Sequence, residues 1–413
     1  MADAIITDIV VAGNGPAGMA AALALAQAGF EVTIAAPVQS LTDQRTTALM
    51  MPSIKLLERL GVWDEVKSLA APLASMRIVD GTSRLVRSRP VTFHAAEIEE
   101  EAFGWNIPNA TLNAALSREL ESNPAIQIIS QPVSKWEATE TGISAILADD
   151  PVIHAKLAVG ADGRNSLARE HAGIRVSTWS YPQTAFVTTF THRLSHNNMS
   201  TEFHTESGPC TQVPLQGNRS SLVWVVPPQR AIELADMPDD QLSAAIEERL
   251  QSFLGKVTVG PQRQAWPLSG QYPHRFAQNR IALVGEAAHV FPPIGAQGLN
   301  LGLRDVEDLV IATSTSPVDP GANSVLAAYD STRRPDIMAR TSAVDALNRT
   351  LLTSFLPAQM LRAAGLAALD IAPPLRTLFM REGMRPGSGL SAVFSALREK
   401  VRRDPTASGK VNQ

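Results

Sequence analysis

The 413-residue sequence has a single cysteine, Cys210, so it excludes an internal disulfide and a metal cluster built on thiolates. Strong positive charge is also lacking, and the net charge of −4 argues against broad nucleic-acid binding. Long apolar runs are missing: residues 16–30 are too short to span a bilayer, and an acid stands where an export signal needs a base. We therefore expect a soluble, cytoplasmic protein.

Charge is distributed unevenly along the chain. Residues 361–413 contain nine Lys or Arg and four Asp or Glu, a net charge of +5, so the rest of the chain is acidic. Just before this tail, apolar residues fall on one face of a predicted helix: Leu351, Leu352, Phe355, Leu356, Met360 and Leu361. We expect a helical, basic C-terminal region over 350–413. It either packs on the protein body or docks peripherally on an anionic inner membrane.

The order of predicted elements indicates an α/β protein with an all-β insertion. Strands at 5–12 and 31–36 flank an Ala-rich helix at 17–28, which is a βαβ start. Further helices are predicted at 46–60, 109–120, 237–254, 299–313 and 324–349, and strands at 126–132, 134–140, 142–147, 157–160 and 280–284. Residues 175–226 predict an antiparallel sheet, because short runs rich in Thr, Val, Phe and Trp alternate with turn residues.

The first motif follows the first predicted strand. Gly13, Gly15 and Gly18 form G-x-G-x-x-G, with Pro16 and Ala17 between them, and the helix that follows directs its positive end at a bound pyrophosphate. In a dinucleotide site the second strand usually ends in an acid that binds the ribose, but Ala36 stands there. The ribose is then held by backbone groups, by Gln44 or by Arg45.

Two later motifs also follow predicted strands. In Gly160-Ala161-Asp162-Gly163-Arg164-Asn165-Ser166, the Asp162 carboxylate either accepts from ligand hydroxyls or caps the helix that begins near Ser166. In Gly285-Glu286-Ala287-Ala288-His289, a strand presents Glu286 at the sheet edge, and a Pro/Gly loop leads to a helix start that stabilises negative charge. His289 is interpreted as a packed, hydrogen-bonded residue.

Together, the three motifs resemble the class A flavoprotein monooxygenases, of the 4-hydroxybenzoate hydroxylase type, over residues 5–349. Residues 45–49, 60–63 and 296–302 resemble the ubiquinone-biosynthesis branch more narrowly. The resemblance implies a Rossmann-type FAD-binding domain over 1–174 and 276–349. It also implies an inserted antiparallel β-sheet substrate domain over 175–275, with some segments of that domain coming from the first part.

The resemblance also implies roles for individual residues. The glycine motif would bind the ADP part of FAD, Arg45 would lie along the phosphates or ribitol, Asp162 would serve FAD and NAD(P)H, and Glu286 would contact the ribitol. The loop beside the isoalloxazine would include Pro293 and Gly295. The full set of implied cofactor-binding residues is Gly13, Gly15, Pro16, Ala17, Gly18, Arg45, Asp162, Gly285, Glu286, Gly298, Leu299 and Asn300. Glu286 departs from the Asp usual in the family, as Ala36 does from the ribose acid.

The implied reaction is hydroxylation of an electron-rich phenol ring. NAD(P)H reduces FAD, O2 adds at C4a of the flavin, and one oxygen is transferred to the ring, so no catalytic side chain is assigned. A prenylated phenol of ubiquinone biosynthesis is the expected substrate. Alternatives are small soluble aromatics, an isoprenoid-chain reductase, or a non-catalytic FAD-binding subunit of a quinone-biosynthesis complex. No metal site is expected at His192, His196 and His204, and Phe186, Phe190, Phe203 and Trp224 are expected in the core.

Overall fold

The computed structural model describes residues 4–38, 43, 45–82, 87–148, 152–292, 297–352, 376–378 and 380. The strands in chain order are β1 (Ile5–Ile6), β2 (Ile9–Ala12), β3 (Val32–Ala35), β4 (Thr46–Met50), β5 (Ala71–Pro72), β6 (Ser75–Asp80), β7 (Val91–His94), β8 (Gly104–Pro108), β9 (Ile126–Ile129), β10 (Val133–Ala138), β11 (Ile143–Leu147), β12 (Val152–Ala155), β13 (Leu157–Gly160), β14 (Val176–His192), β15 (Met199–Thr205), β16 (Gly208–Leu215), β17 (Arg219–Val226), β18 (Val257–Pro273), β19 (Ala277–Gln278) and β20 (Ile281–Leu283).

The α-helices in chain order are α1 (Pro16–Gln27), α2 (Met51–Arg59), α3 (Trp63–Val66), α4 (Asn109–Ser122), α5 (Leu167–His171), α6 (Pro228–Asp236), α7 (Asp239–Arg249), α8 (Gln297–Ser314) and α9 (Asn323–Leu352). Short 3-10 helices span Lys67–Leu69, Ala95–Ile98 and Gly285–Ala287. No helix in the described part of the chain is both long enough and apolar enough to cross a lipid bilayer.

The sheet that positions the candidate site has the order β19-β20-β13-β2-β3-β9. Its strands from β20 to β9 are parallel, and only β19 at one edge is antiparallel; Val11 pairs with Ile34 on one side and with Val159 on the other. Strands β2, β3 and β13 are short and fully buried, as apolar strands covered on both faces should be. The predicted βαβ start at β2, α1 and β3 is confirmed, and α1 packs between α4 and α8.

A second, four-stranded sheet has the order β1-β12-β11-β10. It corrects the prediction of one strand over 5–12, because β1 pairs with β12 here while β2 joins the parallel sheet. The chain leaves one sheet for the other at Thr7 and Asp8. The Thr7 hydroxyl donates to the carbonyl of Glu31, and the Asp8 carboxylate accepts from the Glu31 amide and pairs with Lys156. These polar contacts divide the predicted strand over residues 5–12 into two separate strands.

The largest sheet has the order β18-β14-β17-β16-β15-β6-β7 and includes the antiparallel strands predicted within 175–226. It is antiparallel except where β15 pairs with β6. Strands β6 and β7 come from residues before the predicted insertion. Helices α6 and α7 cover one face, where the apolar side chains of Phe186, Phe190, Phe203 and Trp224 are buried, as expected. On the other face, β16 and β17 contact a small three-stranded sheet with the order β4-β8-β5.

Two predicted helices are wrong in part. Residues 46–60 begin as strand β4, which pairs with β8, and only then form α2. The strand is set by a partner some sixty residues away, which local periodicity does not reveal. The predicted helix at 237–254 is too long at both ends: α7 begins after Pro238, and the positive φ of Gln251 and Ser252 ends helical geometry beyond Arg249. The sequence prediction also missed the long strand β18. Of the predicted C-terminal region, only the end of α9 and residues 376–378 and 380 are described.

Candidate functional site

The glycine motif forms a tight turn from β2 into α1. Gly13 has a φ of +110°, and a Cβ there would meet the Ala161 carbonyl oxygen at 2.2 Å. A Cβ on Gly18 would meet the Gly13 carbonyl oxygen at 2.1 Å. Gly15 differs, because a Cβ there would meet nothing within 4 Å. Two glycines therefore allow the turn itself to pack, and the third leaves open space in front of the helix.

That open space faces the N-terminus of α1. Gly15 is the N-cap residue, Pro16 and Ala17 open the first turn, and no described side chain caps it. The first amides of a helix have no partner within the helix, so they are available to a bound anion. The Asn14 amide donates to the Pro37 carbonyl at 2.9 Å, which ties this turn to the end of β3. Ala36 at that end is buried, and Gln44 lies outside the described residues.

The second motif follows β13, the neighbour of β2. One Asp162 oxygen accepts from the Ala168 amide at 3.1 Å, so this carboxylate helps to cap α5, while Ser166 is its N-cap residue. The other oxygen, Oδ1, is buried with no hydrogen-bond partner among the described residues. A buried, unpaired carboxylate oxygen is costly, so Asp162 fits both roles predicted for it: cap and acceptor for a ligand hydroxyl.

Arg169 joins the second motif to the third. Its guanidinium donates to the carbonyls of Ala287 at 2.8 Å and of Arg164 at 3.0 Å. Burial lowers the pKa of Arg169, and the charges of Asp162 and Glu170 only partly offset this effect. One cation thus fixes the relative position of the turns that follow β13 and β20. Sequence reasoning gave Arg169 no role.

The third motif is a turn with Gly285 at φ +61° and with Glu286 exposed. Behind it, His289 is buried, as interpreted, and its Nε2 lies 2.7 Å from Asp305 Oδ2. The same oxygen accepts from the Gly285 amide at 2.9 Å, and Arg333 Nε donates to Asp305 Oδ1 at 2.8 Å. Burial opposes ionisation of Asp305, but His289, Arg333 and the Gly285 amide outweigh it, so its pKa lies below the usual value.

Sequence reasoning missed Asp305 and Arg333. The available signal was an acid on the buried face of a predicted amphipathic helix, since Leu301, Asp305 and Leu309 follow at four-residue spacing and all three are buried. A charged residue in that position needs a partner inside the protein. Its partner, Arg333 on α9, cannot be identified by spacing alone.

Arg45 lies at the opening between the parallel sheet and the largest sheet. Its guanidinium forms a bidentate pair with Asp43 and lies 5.2 Å from the centre of the exposed Trp266 ring. Partial burial opposes ionisation of Asp43, yet its hydrogen bonds to Arg45 and Asn109 lower its pKa to about 2. The pKa of Arg45 is raised mainly by the hydrogen bonds with Asp43, which outweigh the lowering effect of burial. Glu286 lies close enough for its charge to add a smaller increase.

Beside Arg45 is a shallow cleft that opens to solvent. It is lined by Arg45, Thr46, Val187, Thr188, Thr189, Ser221, Gln262 and Gln264. Its walls come from β4, β14, β17 and β18, so it lies where the inner face of the largest sheet meets the predicted cofactor site. The placement suits a substrate that must reach a cofactor held by the parallel sheet.

Helix α8 begins at Gln297, with Gly298 exposed and Leu299 half-buried. The Asn300 amide is engaged on both sides: it donates to the Ala48 carbonyl, and its oxygen accepts from the Met50 amide and the Ser53 hydroxyl, each at 2.8 Å. This side chain fastens the start of α8 to β4 and α2. Pro293 and Gly295, predicted beside the flavin, lie outside the described residues.

The arrangement fits FAD. An uncapped helix start with free space at Gly15, an unpaired Asp162 oxygen and an exposed Glu286 all follow the carboxyl ends of adjacent parallel strands, where open α/β sheets bind nucleotides. The three histidines considered for metal binding are instead held within the largest sheet: His192 by Ser220, His196 by Leu215 and His204 by Glu202. Within the described residues, no group of three or more His, Cys, Asp or Glu could hold a metal ion.

Comparison with known proteins agrees with this geometry. Residues 6–343 match the family described as FAD binding domain. Ubiquinone hydroxylase UbiL of Rhodospirillum rubrum is 35% identical over 92% of this chain and 90% of its own length. The 3-demethoxyubiquinol 3-hydroxylase of Escherichia coli is 32% identical over 93% of this chain and 99% of its own. PqsL, a probable FAD-dependent monooxygenase from Pseudomonas aeruginosa, shares the fold with a TM-score of 0.73 at 22% identity, over 87% of this chain and 99% of its own.

Proposed function

The chain belongs to the FAD binding domain family, and on this premise we propose that it is an FAD-dependent monooxygenase that hydroxylates the ring of a prenylated phenol in ubiquinone biosynthesis. The observation that carries the proposal is the nearly end-to-end similarity to two ubiquinone-pathway hydroxylases. The geometry supports it, because the three motifs of the sequence converge at one edge of the parallel sheet.

Several residues would hold FAD. The α1 amides beside Gly15 would bind the pyrophosphate, Glu286 would accept from the ribitol, and the free Asp162 oxygen would accept from a cofactor hydroxyl. When bound and reduced by NAD(P)H, FAD supplies the chemistry that activates O2. Gly285, Gly298 and Leu299 complete the set through their backbone. Asn300 contributes by fixing the start of α8, since its side chain is already engaged.

The protein's own part in the reaction is to position groups and to exclude water. Arg45 presents a cation beside the cleft, where it can stabilise negative charge on the cofactor, and Asp43 holds its guanidinium in place. The inner face of the largest sheet would form the roof over the substrate ring. We propose residues 1–174 and 276–349 as the FAD-binding domain and 175–275 as the substrate domain, with β6 and β7 added to the latter's sheet.

We also propose peripheral association with a membrane or with a quinone-biosynthesis complex, because a polyprenylated substrate is confined to lipid. The basic residues over 361–413 suit an anionic surface. One of them is already engaged: Arg376 donates to both oxygens of Glu97 and stacks at 4.7 Å from the Phe93 ring. Any contact with lipid would therefore come from the other cations of the tail.

Profiling of quinone intermediates by mass spectrometry in a deletion strain tests the proposed function. We expect a prenylated precursor lacking one ring hydroxyl to accumulate and to disappear when the gene is restored. An unchanged quinone profile, together with NAD(P)H oxidation stimulated by simple hydroxybenzoates, would favour a hydroxylase of small soluble aromatics. Colourless protein that cannot be reconstituted with FAD would leave only a non-catalytic role.

A further inference from the structure

A polar pair stands on the inner face of the largest sheet, the face opposite α6 and α7. Side chains alternate between the faces of a strand, and residues paired across strands share a face. Glu202 pairs with Thr211, and Val213 pairs with Ser221, so these four residues share one face. The intervening Phe203, Cys210 and Leu222 lie on the other face, in the core beneath α6 and α7.

The pair consists of Glu202 and His204, two residues apart on β15. His204 Nε2 lies 2.8 Å from one Glu202 oxygen, and the Thr211 hydroxyl donates to the other at 3.2 Å. The His204 side chain is 6% exposed and that of Glu202 is 20% exposed. Donors thus hold both carboxylate oxygens of Glu202, while part of the side chain's surface stays accessible.

The environment of Glu202 keeps it ionised. Burial works against the charge, but the hydrogen bond and charge of His204, together with the Thr211 hydroxyl, outweigh it and hold the pKa of Glu202 below its usual value. An ionised carboxylate accepts hydrogen bonds and donates none. Hydrogen bonds to a charged acceptor are also stronger than those between neutral groups.

Glu202 has polar and apolar neighbours on this face: Ser200, His204 and Thr211 are polar, whereas Ile78 is apolar. Ile78 on β6 pairs with Glu202 and packs with Met76, Val91 and Phe93. In the other direction lies Ser221, which borders the cleft beside Arg45. Two strand spacings and two residues along the strand separate Glu202 from Ser221, about 12 Å. Glu202 therefore lies on the same face of the sheet as Ser221 of the cleft, on the side toward the apolar residues around Ile78.

We propose that Glu202, held by His204 and Thr211, is the acceptor that selects a substrate with a free phenolic hydroxyl. The inference rests on the proposed function, and it assigns the residue that recognises the phenolic hydroxyl of the substrate. The phenol donates to a remaining lone pair of the carboxylate, since each oxygen can accept more than one hydrogen bond, and the ring packs on Ile78 beside it. Electron density at the ring rises when a phenolic hydroxyl donates to an anion, which favours attack by an electrophilic oxygen.

The discriminating probes are 2-geranylphenol and its methyl ether, which differ only in the hydrogen that Glu202 would accept. Their dissociation constants are measured on the FAD-loaded full chain from the change in the visible flavin spectrum. We expect the wild type to bind the phenol about 10- to 100-fold more tightly than the ether, the range of a hydrogen bond to a charged group. Equal binding of the two by the wild type would overturn the inference.

Glu202→Gln is the matching variant, since it keeps the shape of the side chain and removes the charge. If the carbonyl oxygen of the new amide faces His204, its NH2 group faces the ligand and can donate to the oxygen of either probe. We therefore expect the ratio of the ether's dissociation constant to the phenol's to fall to about threefold or less. Thr211→Val should reduce the ratio in part. Glu233→Gln, exposed on α6 behind the opposite face, should retain the wild-type ratio.

A wild-type ratio in Glu202→Gln contradicts the assignment of Glu202. Full FAD content in each variant shows that a changed ratio does not come from misfolding. Product analysis of the wild type with the same phenol separates this inference from the proposed function. Discrimination without a hydroxylated product contradicts the proposed function, whereas hydroxylation of phenol and ether alike contradicts the role of Glu202.

Discussion

Asp305 lies 2.7 Å from His289, at the centre of a buried network behind the turn that carries Glu286. Its carboxylate also accepts from the Gly285 amide and from Arg333, so one side chain on α8 holds the third motif to both C-terminal helices. Glu286 itself is exposed. Its position at the sheet edge is therefore set by residues that need not touch the cofactor.

We predict that Asp305→Ala lowers the free energy of unfolding by about 3–5 kcal/mol, because it removes the most deeply buried of the three carboxylates that pair with Arg333 and leaves the Gly285 amide without its acceptor. Chemical denaturation of the FAD-free protein measures this loss. Asp308→Ala is the matched control: Asp308 also pairs with Arg333, but its side chain is 21% exposed. A loss in Asp305→Ala no larger than in the control would show that the network does not depend on Asp305.

Two glycines of the first motif should respond differently to alanine. Gly15→Ala meets free space at an ordinary φ of −68°, so we expect the FAD-free protein to keep its stability while FAD affinity falls about tenfold or more. Gly13→Ala places a Cβ against the Ala161 carbonyl at φ +110°, so we expect it to destabilise the fold by at least about 1–3 kcal/mol. Fluorescence titration with FAD and thermal unfolding separate the two effects. Normal FAD affinity in Gly15→Ala would contradict the placement of the pyrophosphate.

Glu286→Ala is expected to weaken FAD binding about 10- to 100-fold, the loss of a hydrogen bond to a charged acceptor. Stability without FAD should not change, because the side chain is exposed. Glu286→Asp keeps the charge and restores the residue usual in the resembling family, so it should retain most of the affinity. Unchanged flavin spectrum and turnover in Glu286→Ala would refute the assigned contact with the ribitol.

Asp43 gives the protein a defined sensitivity to acid. Its pKa falls from 3.8 to about 2 on folding, so its ionisation stabilises the folded state above pH 3.8 and that stabilisation is lost as pH falls toward 2. From about pH 5 to about pH 3, the thermal midpoint of the wild type should fall more steeply than that of Asp43→Asn. Asp236→Asn, exposed at the end of α6, serves as the control. Parallel curves for wild type and Asp43→Asn would show that the pair with Arg45 does not form.

Local sequence predicted much of the nucleotide-binding half. The glycine turn, its helix and the strand-then-turn character of the later motifs all follow from short patterns, and the structure brings these motifs to one sheet edge. What failed depended on distant partners. Strand β4 forms because β8 pairs with it, and β6 enters the largest sheet because β15 lies beside it. Likewise, the Asp305–Arg333 pair joins two helices whose proximity no local pattern specifies.

The contact that holds the FAD ribose is still a prediction, because Ala36 stands where an acid usually binds it. The residue is buried at the end of β3, so the ribose must be held by the backbone or by side chains outside that strand. The sequence shows the departure from the usual pattern but not its replacement. A direct measure is the FAD affinity of Arg45→Lys, which we expect to fall as the bidentate pair with Asp43 is lost. Wild-type affinity would leave backbone groups or Gln44 to hold the ribose.

The central claim is that the protein inserts one atom of O2 into a phenol ring. The most direct test is turnover of the FAD-loaded protein with NADH or NADPH, 2-geranylphenol and isotopically labelled O2, followed by mass spectrometry of the product. The account predicts a product that carries one labelled oxygen atom on the ring. NAD(P)H consumption that yields only hydrogen peroxide, or a hydroxylated product whose new oxygen comes from water, would contradict it.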